Sequence, residues 1–422
     1  MHNVKHRILI ALLVCASYLP GQNTLSLSGL YDAAAAAHPY QRLKTAAQNN
    51  ADLRQQINKS IGLPQANLTG QASWQSDVTK IDVPLPGFEI PGQPKDQYRA
   101  VLELSQSLLD GGALKSGSQQ ITQANQVEQA NADVLLYNIK ESICRSYFGA
   151  QIAELTMEQM QILIKDLEDK VERLQSQIAG GIASGYQQEV LQVKIAEARQ
   201  GIREAQKNKQ SAINTLQILS GTTIGPDARF NDNIRGMTNG AAQRPELRLF
   251  EAQKNLQIAQ YDQSLTRYRP RVNAFAQLGY GRPSLNVLSD KFKGYSIFGL
   301  RAQWNLSDLY LHHRDKEKSL LTNILSNIQA MSDAFDLQQK TKIAVQNAEI
   351  ESYTDLIRED EKVITLYEKI LISSNAQFEN GISTINDYSN DANNLAQAKI
   401  RRDVHQSMLM QSKELLSLLQ GK

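Results

Sequence analysis

The chain repeats its own order of patterns, and such a repeat limits the possible folds more than any single motif. The segment that starts at His38-Pro39 matches the segment that starts at Arg244-Pro245 at an offset of 206 residues, and Pro64 falls on Pro270 at that same offset. After Pro64 and after Pro270, apolar and polar residues alternate. Strict alternation is typical of a β-strand with one apolar face, so both halves are predicted to enter a sheet at these prolines.

A second alternating run follows each of these strands after a turn-rich stretch, so each half is predicted to contain one β-hairpin. The four strands are expected at about residues 64–75, 98–108, 270–281 and 295–306. Their larger apolar side chains share one face, which would be covered by lipid if the strands lie in a membrane. The candidate lipid-facing residues are Ala66, Leu68, Ala72, Trp74, Leu102, Leu104, Leu278, Tyr280, Leu300 and Trp304.

Four aromatic residues of these strands, Trp74, Tyr98, Tyr280 and Trp304, fit two roles. Aromatic residues form girdles at the lipid interfaces of membrane barrels, and they also pack in ordinary cores. Both interpretations remain open from the pattern alone.

A long helix is predicted after each hairpin. The two helices begin near Asp110 and near Ser307-Asp308 and continue without proline for some 65 to 70 residues, or about 100 Å. The second carries isoleucine or leucine every seven residues from Ile343 to Leu371, as in a coiled coil. Each long helix ends at a glycine turn, and return helices are expected at about 186–219 and 385–419. The chain therefore divides into a first repeat at 23–220, a linker at 221–240 and a second repeat at 241–422.

The N-terminal residues 1–22 have the pattern of a secretory signal peptide. Lys5 and Arg7 precede the apolar run 8–19, which is shorter than the ~20 residues of a membrane-spanning helix. Small residues support cleavage after Ala16, Ser17 or Gly21, and the sequence does not choose among them. Cys15 leaves lipidation as an alternative.

Composition excludes several classes of function. Without residues 1–22 the chain has 43 basic and 43 acidic residues, which gives no indication of nucleic-acid binding. The remaining cysteine, Cys144, has no partner for an internal disulfide. No catalytic constellation, phosphate loop or zinc spacing occurs, so an enzyme, a cofactor and a metal site are not expected. The pair His312-His313 does not suggest a metal site, because adjacent helical side chains point about 100° apart.

Four strands are too few for a closed barrel, which needs about eight. Since open sheet edges are not tolerated in lipid, several copies of the chain would have to share one barrel. Eight strands from two copies would be filled by side chains, whereas twelve from three leave a lumen. The sequence alone does not select three.

The duplicated order of helix, proline-started strand, hairpin, very long helix, Gly-x-x-[Ser/Thr] turn and return helix resembles the TolC-like outer-membrane efflux proteins. The resemblance covers about residues 25–419. It implies a mainly α fold with a membrane β-barrel part, in which a homotrimer forms a 12-stranded β-barrel continuous with a long α-helical periplasmic barrel.

The same resemblance implies the channel of a tripartite efflux or type I secretion system. The chain would lie in the cell outer membrane with a periplasmic extension and would conduct substrates passively. Its partners would be a periplasmic adaptor and an inner-membrane efflux pump or ABC exporter. The alternative is a periplasmic coiled-coil scaffold or adaptor without a pore.

The resemblance also implies candidate sites at the ends of the long helices. Asp387 is the sixth residue after Gly381 and matches the first acidic position of the family's periplasmic aperture, while Asn390 stands where a second acid can occur and Asp391 follows it. The alternative is that Asp387 only stabilises the first turn of its helix. The tips expected to dock an adaptor are Gly180, Gly181, Ile182, Ala183, Ser184, Gly381, Ile382, Ser383 and Thr384.

Overall fold

The computed structural model describes residues 24–79, 93–181, 184–230, 244–286 and 289–421. The predicted signal peptide, the tip residues Ile182 and Ala183, and the second half of the predicted linker lie outside these ranges.

Helices dominate the described residues. In chain order they are α1 (Leu27–Ala37), α2 (Pro39–Ile61), α3 (Ala113–Ala179), α4 (Gly185–Ser220), α5 (Pro245–Leu265), α6 (Asp308–Leu311), α7 (His313–Glu379) and α8 (Ile385–Leu419). The strands are β1 (Thr24–Leu25), β2 (Gln65–Trp74), β3 (Asp96–Leu109), β4 (Arg229–Phe230), β5 (Arg271–Arg282) and β6 (Lys293–Gln303).

The two halves follow the duplicated order. Helices α2 and α5 both begin at a proline, which suits the first helical position because its missing N–H has no partner there in any case. Strands β2 and β5 begin directly after Pro64 and Pro270. The long helices α3 and α7 have 67 residues each.

The second long helix starts later than its sequence suggests. After the single turn α6, His312 adopts a left-handed conformation with φ 53°, and α7 begins at His313. The Asp308 carboxylate accepts a hydrogen bond from the Arg314 backbone N–H at 2.8 Å and pairs with the Arg314 guanidinium at 2.5 Å. Asp308 therefore caps the long helix across the break.

The four long strands form one antiparallel sheet in the order β2-β3-β5-β6. Besides the hairpins β2–β3 and β5–β6, strands β3 and β5 pair directly, with Leu102 opposite Leu278. A bulge between Ser107 and Leu109 shifts the register at the end of β3. The sheet belongs to a unit of residues 43–131 and 247–333.

The other unit combines residues 132–246 and 334–422 with the N-terminal segment up to Arg42. One of its cores packs α1 against α3, α4 and α8 around Tyr147, Phe148 and Phe230. The first part of the predicted linker contributes to this core, since β4 pairs in parallel with β1 and Ile224 is buried. A second core, around Leu167 and Leu191, packs α3 and α4 against α8 close to the helix ends.

Within the described ranges, none of the helices combines the length and the apolar character that a membrane-spanning helix requires.

Candidate functional site

One face of the sheet is mainly apolar. Nine of the ten residues predicted to face lipid lie on this face, because the strand registers place them in shared rows. The tenth, Trp304, lies just after the end of β6. Leu68, Leu102 and Leu278 form one such row near the middle of the strands. In the single chain Leu68 is 73% exposed and Leu278 is 58% exposed. A large apolar surface of this kind indicates contact with lipid or with another protein.

Polar groups concentrate on the opposite face. Gln277 donates a hydrogen bond to the Glu103 carboxylate at 2.5 Å, and the Arg301 guanidinium lies 3.6 Å from the same carboxylate. The aromatic rings on this face, Phe275 and Tyr295, cover the glycines opposite them on the neighbouring strand. The two faces therefore differ in the way that the alternation predicted.

Both outer strands of the sheet have an open edge. Among the described residues, β2 pairs only with β3, and β6 pairs only with β5. Unpaired backbone N–H and C=O groups along an edge favour the addition of another strand. The sheet is therefore suited to pair with further copies of itself.

The four aromatic residues singled out in the strands do not pack in a core of the chain. Trp74, Tyr98, Tyr280 and Trp304 all have large exposed fractions. Near the hairpin ends, Tyr280 stacks on Phe292 with a centroid distance of 5.8 Å. At the opposite end the Trp304 indole N–H donates to the Tyr268 backbone carbonyl at 3.0 Å. This distribution leaves apolar rings at both ends of the sheet, as a girdle requires.

The glycines that end the two long helices share one backbone conformation. Gly181 and Gly381 both have a φ of 72°, a left-handed conformation that glycine adopts without steric cost. At the second tip the Ile382 N–H donates to the Gln377 carbonyl at 2.8 Å, which completes a Schellman turn. The return helices then begin after Ser184 and Thr384, whose hydroxyls accept backbone hydrogen bonds.

Two apolar side chains stand exposed beside these turns. Ile382 is 77% exposed in the second tip, and Tyr186 in the first turn of α4 is 70% exposed. A loop on a rigid scaffold with exposed apolar residues is a usual place for binding.

Asp387 has a definite partner in the residue that caps its own helix. Its carboxylate accepts from the Thr384 N–H at 3.0 Å and from the Thr384 hydroxyl at 2.6 Å, while the Asp387 N–H donates to that hydroxyl at 3.2 Å. These bonds form a capping box and hold the pKa of Asp387 below its usual value. The structure thus contains the helix-stabilising role that was the alternative to an aperture. Asn390 and Asp391 follow about one turn later on α8, with Asn390 exposed and Asp391 half-buried.

A polar network beneath the second tip was not foreseen from the sequence. The hydroxyl of the buried Tyr388 donates to Asp166 at 2.7 Å, and the Lys170 ammonium lies 4.6 Å from the centre of the Tyr388 ring. Lys170 also contacts Asn375 and lies 3.8 Å from Glu379. Burial is the main cause that lowers the pKa of Lys170. Burial, followed by the hydrogen bond to Asp166, raises the pKa of Tyr388. Asp166 and Lys170 are four residues apart in α3, so the sequence shows only an ordinary helical ion pair.

No protein-family model matches the chain, and no curated protein does. Solved structures match it over almost its whole length. The outer membrane protein VceC from Vibrio cholerae superposes with a TM-score of 0.65 and 16% identity, covering 94% of this chain and 96% of that one.

Two further channels give similar values. For the Campylobacter jejuni CmeC outer membrane channel the TM-score is 0.64 at 13% identity, with coverage of 94% and 86%. For the Neisseria gonorrhoeae MtrE outer membrane channel it is 0.63 at 16% identity, with coverage of 94% and 88%. Identity at this level shows the fold alone, and the chain therefore has the TolC-like fold of these outer-membrane channels.

Proposed function

We propose that the chain is a passive duct of the outer membrane, built by three copies and extended by its helices into the periplasm. The observation that carries this proposal is the four-stranded sheet, with one apolar face, one polar face and two open edges. A lipid bilayer accepts such a sheet only when its edges are closed.

Closure by copies of the same chain is geometrically simple. Strands β2 and β5 run in one direction and β3 and β6 in the other, because every neighbouring pair is antiparallel. Strand β6 of one copy would therefore meet β2 of the next copy in antiparallel orientation. Three copies give twelve strands, which leave a water-filled lumen lined by the polar face, whereas two copies give a sheet that side chains would fill.

The helices would supply the periplasmic part of the duct. The pairs α3–α4 and α7–α8 give twelve helices in a trimer, and the long member of each pair has 67 residues, or about 100 Å. The tips with exposed Ile382 and Tyr186 are suited to a periplasmic adaptor, which would link the duct to an inner-membrane pump or exporter. Asp387 from three copies would form an aperture ring if assembly brings the three tips to one axis.

The proposal is tested on the full chain, exported and extracted from outer-membrane fractions with detergent. We expect a trimer by cross-linking and discrete ion currents after insertion into a planar bilayer. A chain found as a monomer in the periplasmic fraction, without conductance, would contradict the proposal and favour the scaffold or adaptor alternative. Export would be assessed separately by the loss of residues 1–22 from the mature chain.

A further inference from the structure

The polar face of the sheet has an excess of basic side chains. Its charged residues, four basic and one acidic, are Arg99, Arg271, Lys293, Arg301 and Glu103. The single carboxylate, Glu103, is already engaged by Arg301 and Gln277. The apolar face has one charge of each sign, Asp96 and Arg282, which lie 3.4 Å apart. The net positive charge of the strands is therefore on the polar face.

Two of the basic residues share a row near the hairpin ends. Arg99 is paired with Gly281, and Gly281 is paired with Lys293, so the two cations lie on strands separated by one neighbour. Two strand spacings place their Cα atoms about 10 Å apart. Both side chains are exposed, and neither has an ion pair within the part of the chain that the structure describes. The fourth position of the row is the uncharged Gln71.

We infer that this row, Arg99 and Lys293, is an anion-selective ring at the outer end of the duct. The inference rests on the proposed function, because it requires the polar face to line the lumen. Three copies would place six positive charges around one level of the pore. Substrates or ions with negative charge would be concentrated there, and cations of the same size would be depleted.

Electrostatics gives the expected size of the effect. The two cations of one chain lie within about one Debye length, ~10 Å at 0.1 M salt, so their potentials add across the row. A mean potential of about one kT per unit charge raises the local anion concentration and lowers the local cation concentration. Together these two changes give a local anion-to-cation ratio of roughly seven. At 1 M salt the Debye length falls to about 3 Å, and most of this preference should disappear.

The test is the reversal potential of the trimer in a planar bilayer under a KCl gradient, with Asp387→Asn as the background so that the Asp387 carboxylates do not contribute. We expect chloride to permeate several-fold better than potassium in dilute salt. The double variant Arg99→Gln with Lys293→Gln should bring the ratio close to one. Glu103→Gln should raise it, and Gln71→Asn, in the same row but without a charge change, should leave it unchanged.

The outcomes separate the inference from the proposal on which it rests. Currents with a ratio at or below one, or a ratio that the double variant does not change, would overturn the anion-selective ring while leaving the duct intact. Absence of any current would overturn the duct and the ring together. If the double variant fails to assemble, the salt dependence of the parent trimer provides the test. A chloride-to-potassium ratio that stays the same when the salt is raised from about 0.1 M to about 1 M would contradict a surface-charge origin.

Discussion

The orientation of the sheet leads to a sharp prediction for two adjacent residues of β2. Leu68 and Thr69 have opposite side-chain directions, with Leu68 in the apolar row of Leu102 and Leu278 and Thr69 on the polar face. We compare Leu68→Arg with Thr69→Arg. The two variants have the same new charge at nearly the same depth, so a difference between them reports the face alone.

The size of the effect follows from exposure and position. Leu68 is 73% exposed in the single chain, so its side chain can gain free energy by transfer from water to lipid. Replacing this leucine loses about 1 to 2 kcal/mol of that transfer free energy. It is the fourth of the ten residues in β2, near the middle of the strand, where an arginine on the lipid face costs about 2 to 4 kcal/mol. Leu68→Arg should therefore cost about 3 to 6 kcal/mol per chain, or at least a hundredfold in the folding equilibrium. Thr69→Arg should cost less than about 1 kcal/mol, because its side chain remains in water.

The assay is folding of the urea-denatured full chain into lipid vesicles, followed by the urea concentration at which half of the protein is inserted. The abundance of each variant in outer-membrane fractions provides a second measurement. Equal losses for the two variants, or a larger loss for Thr69→Arg, would refute the assignment of faces. Thr69→Gln, which adds side-chain volume at the same position without a charge, is the control for size and should insert as well as the parent chain.

Three further predictions concern the helix tips and are measured as local opening free energies by hydrogen exchange. Gly381→Ala should lower the opening free energy by about 1 kcal/mol, because φ is 72° there. As the control, Gly149→Ala in the interior of α3 should raise it by about 0.5 to 1 kcal/mol. A neutral effect of Gly381→Ala would contradict the turn geometry. Tyr388→Phe removes the hydrogen bond to Asp166 and should cost about 1 to 2 kcal/mol at the start of α8, and no such cost should remain in an Asp166→Ala background. Because the pKa of Asp387 is lowered, its cap is present above about pH 4 and is lost as the pH falls through the lowered pKa. Protection of the Thr384 amide should therefore decrease on acidification. In the Asp387→Asn variant this decrease should be absent.

Much of the local structure was accessible from the pattern of residues. Alternation with a period of two predicted four strands and their apolar sides, because side chains in a strand point alternately to opposite faces. Long proline-free segments and the glycines at 181 and 381 predicted helices that end in tight turns. The offset between the halves predicted that the same elements recur.

Other features required the folded chain. Asp387 matched a position in a resembling family, yet its observed partner is Thr384, three residues away, in a cap that the sequence also allowed. The start of α7 at His313 depends on Asp308, which reaches across a break that propensity does not reveal. The pair of Tyr388 and Asp166 joins residues 222 positions apart, and no periodicity links them.

By itself, the sequence determined which segments are strands or helices, which strand face is apolar and that the order of elements is duplicated, since these properties depend on neighbours within a few residues. Only the tertiary structure decided that β3 pairs with β5, so that two hairpins become one four-stranded sheet with open edges at β2 and β6. It also decided that Arg99 and Lys293 share a row and that Tyr388 meets Asp166. Such contacts depend on which surfaces of distant segments come together, and that choice is made by the packing and pairing of the whole chain rather than by any local pattern.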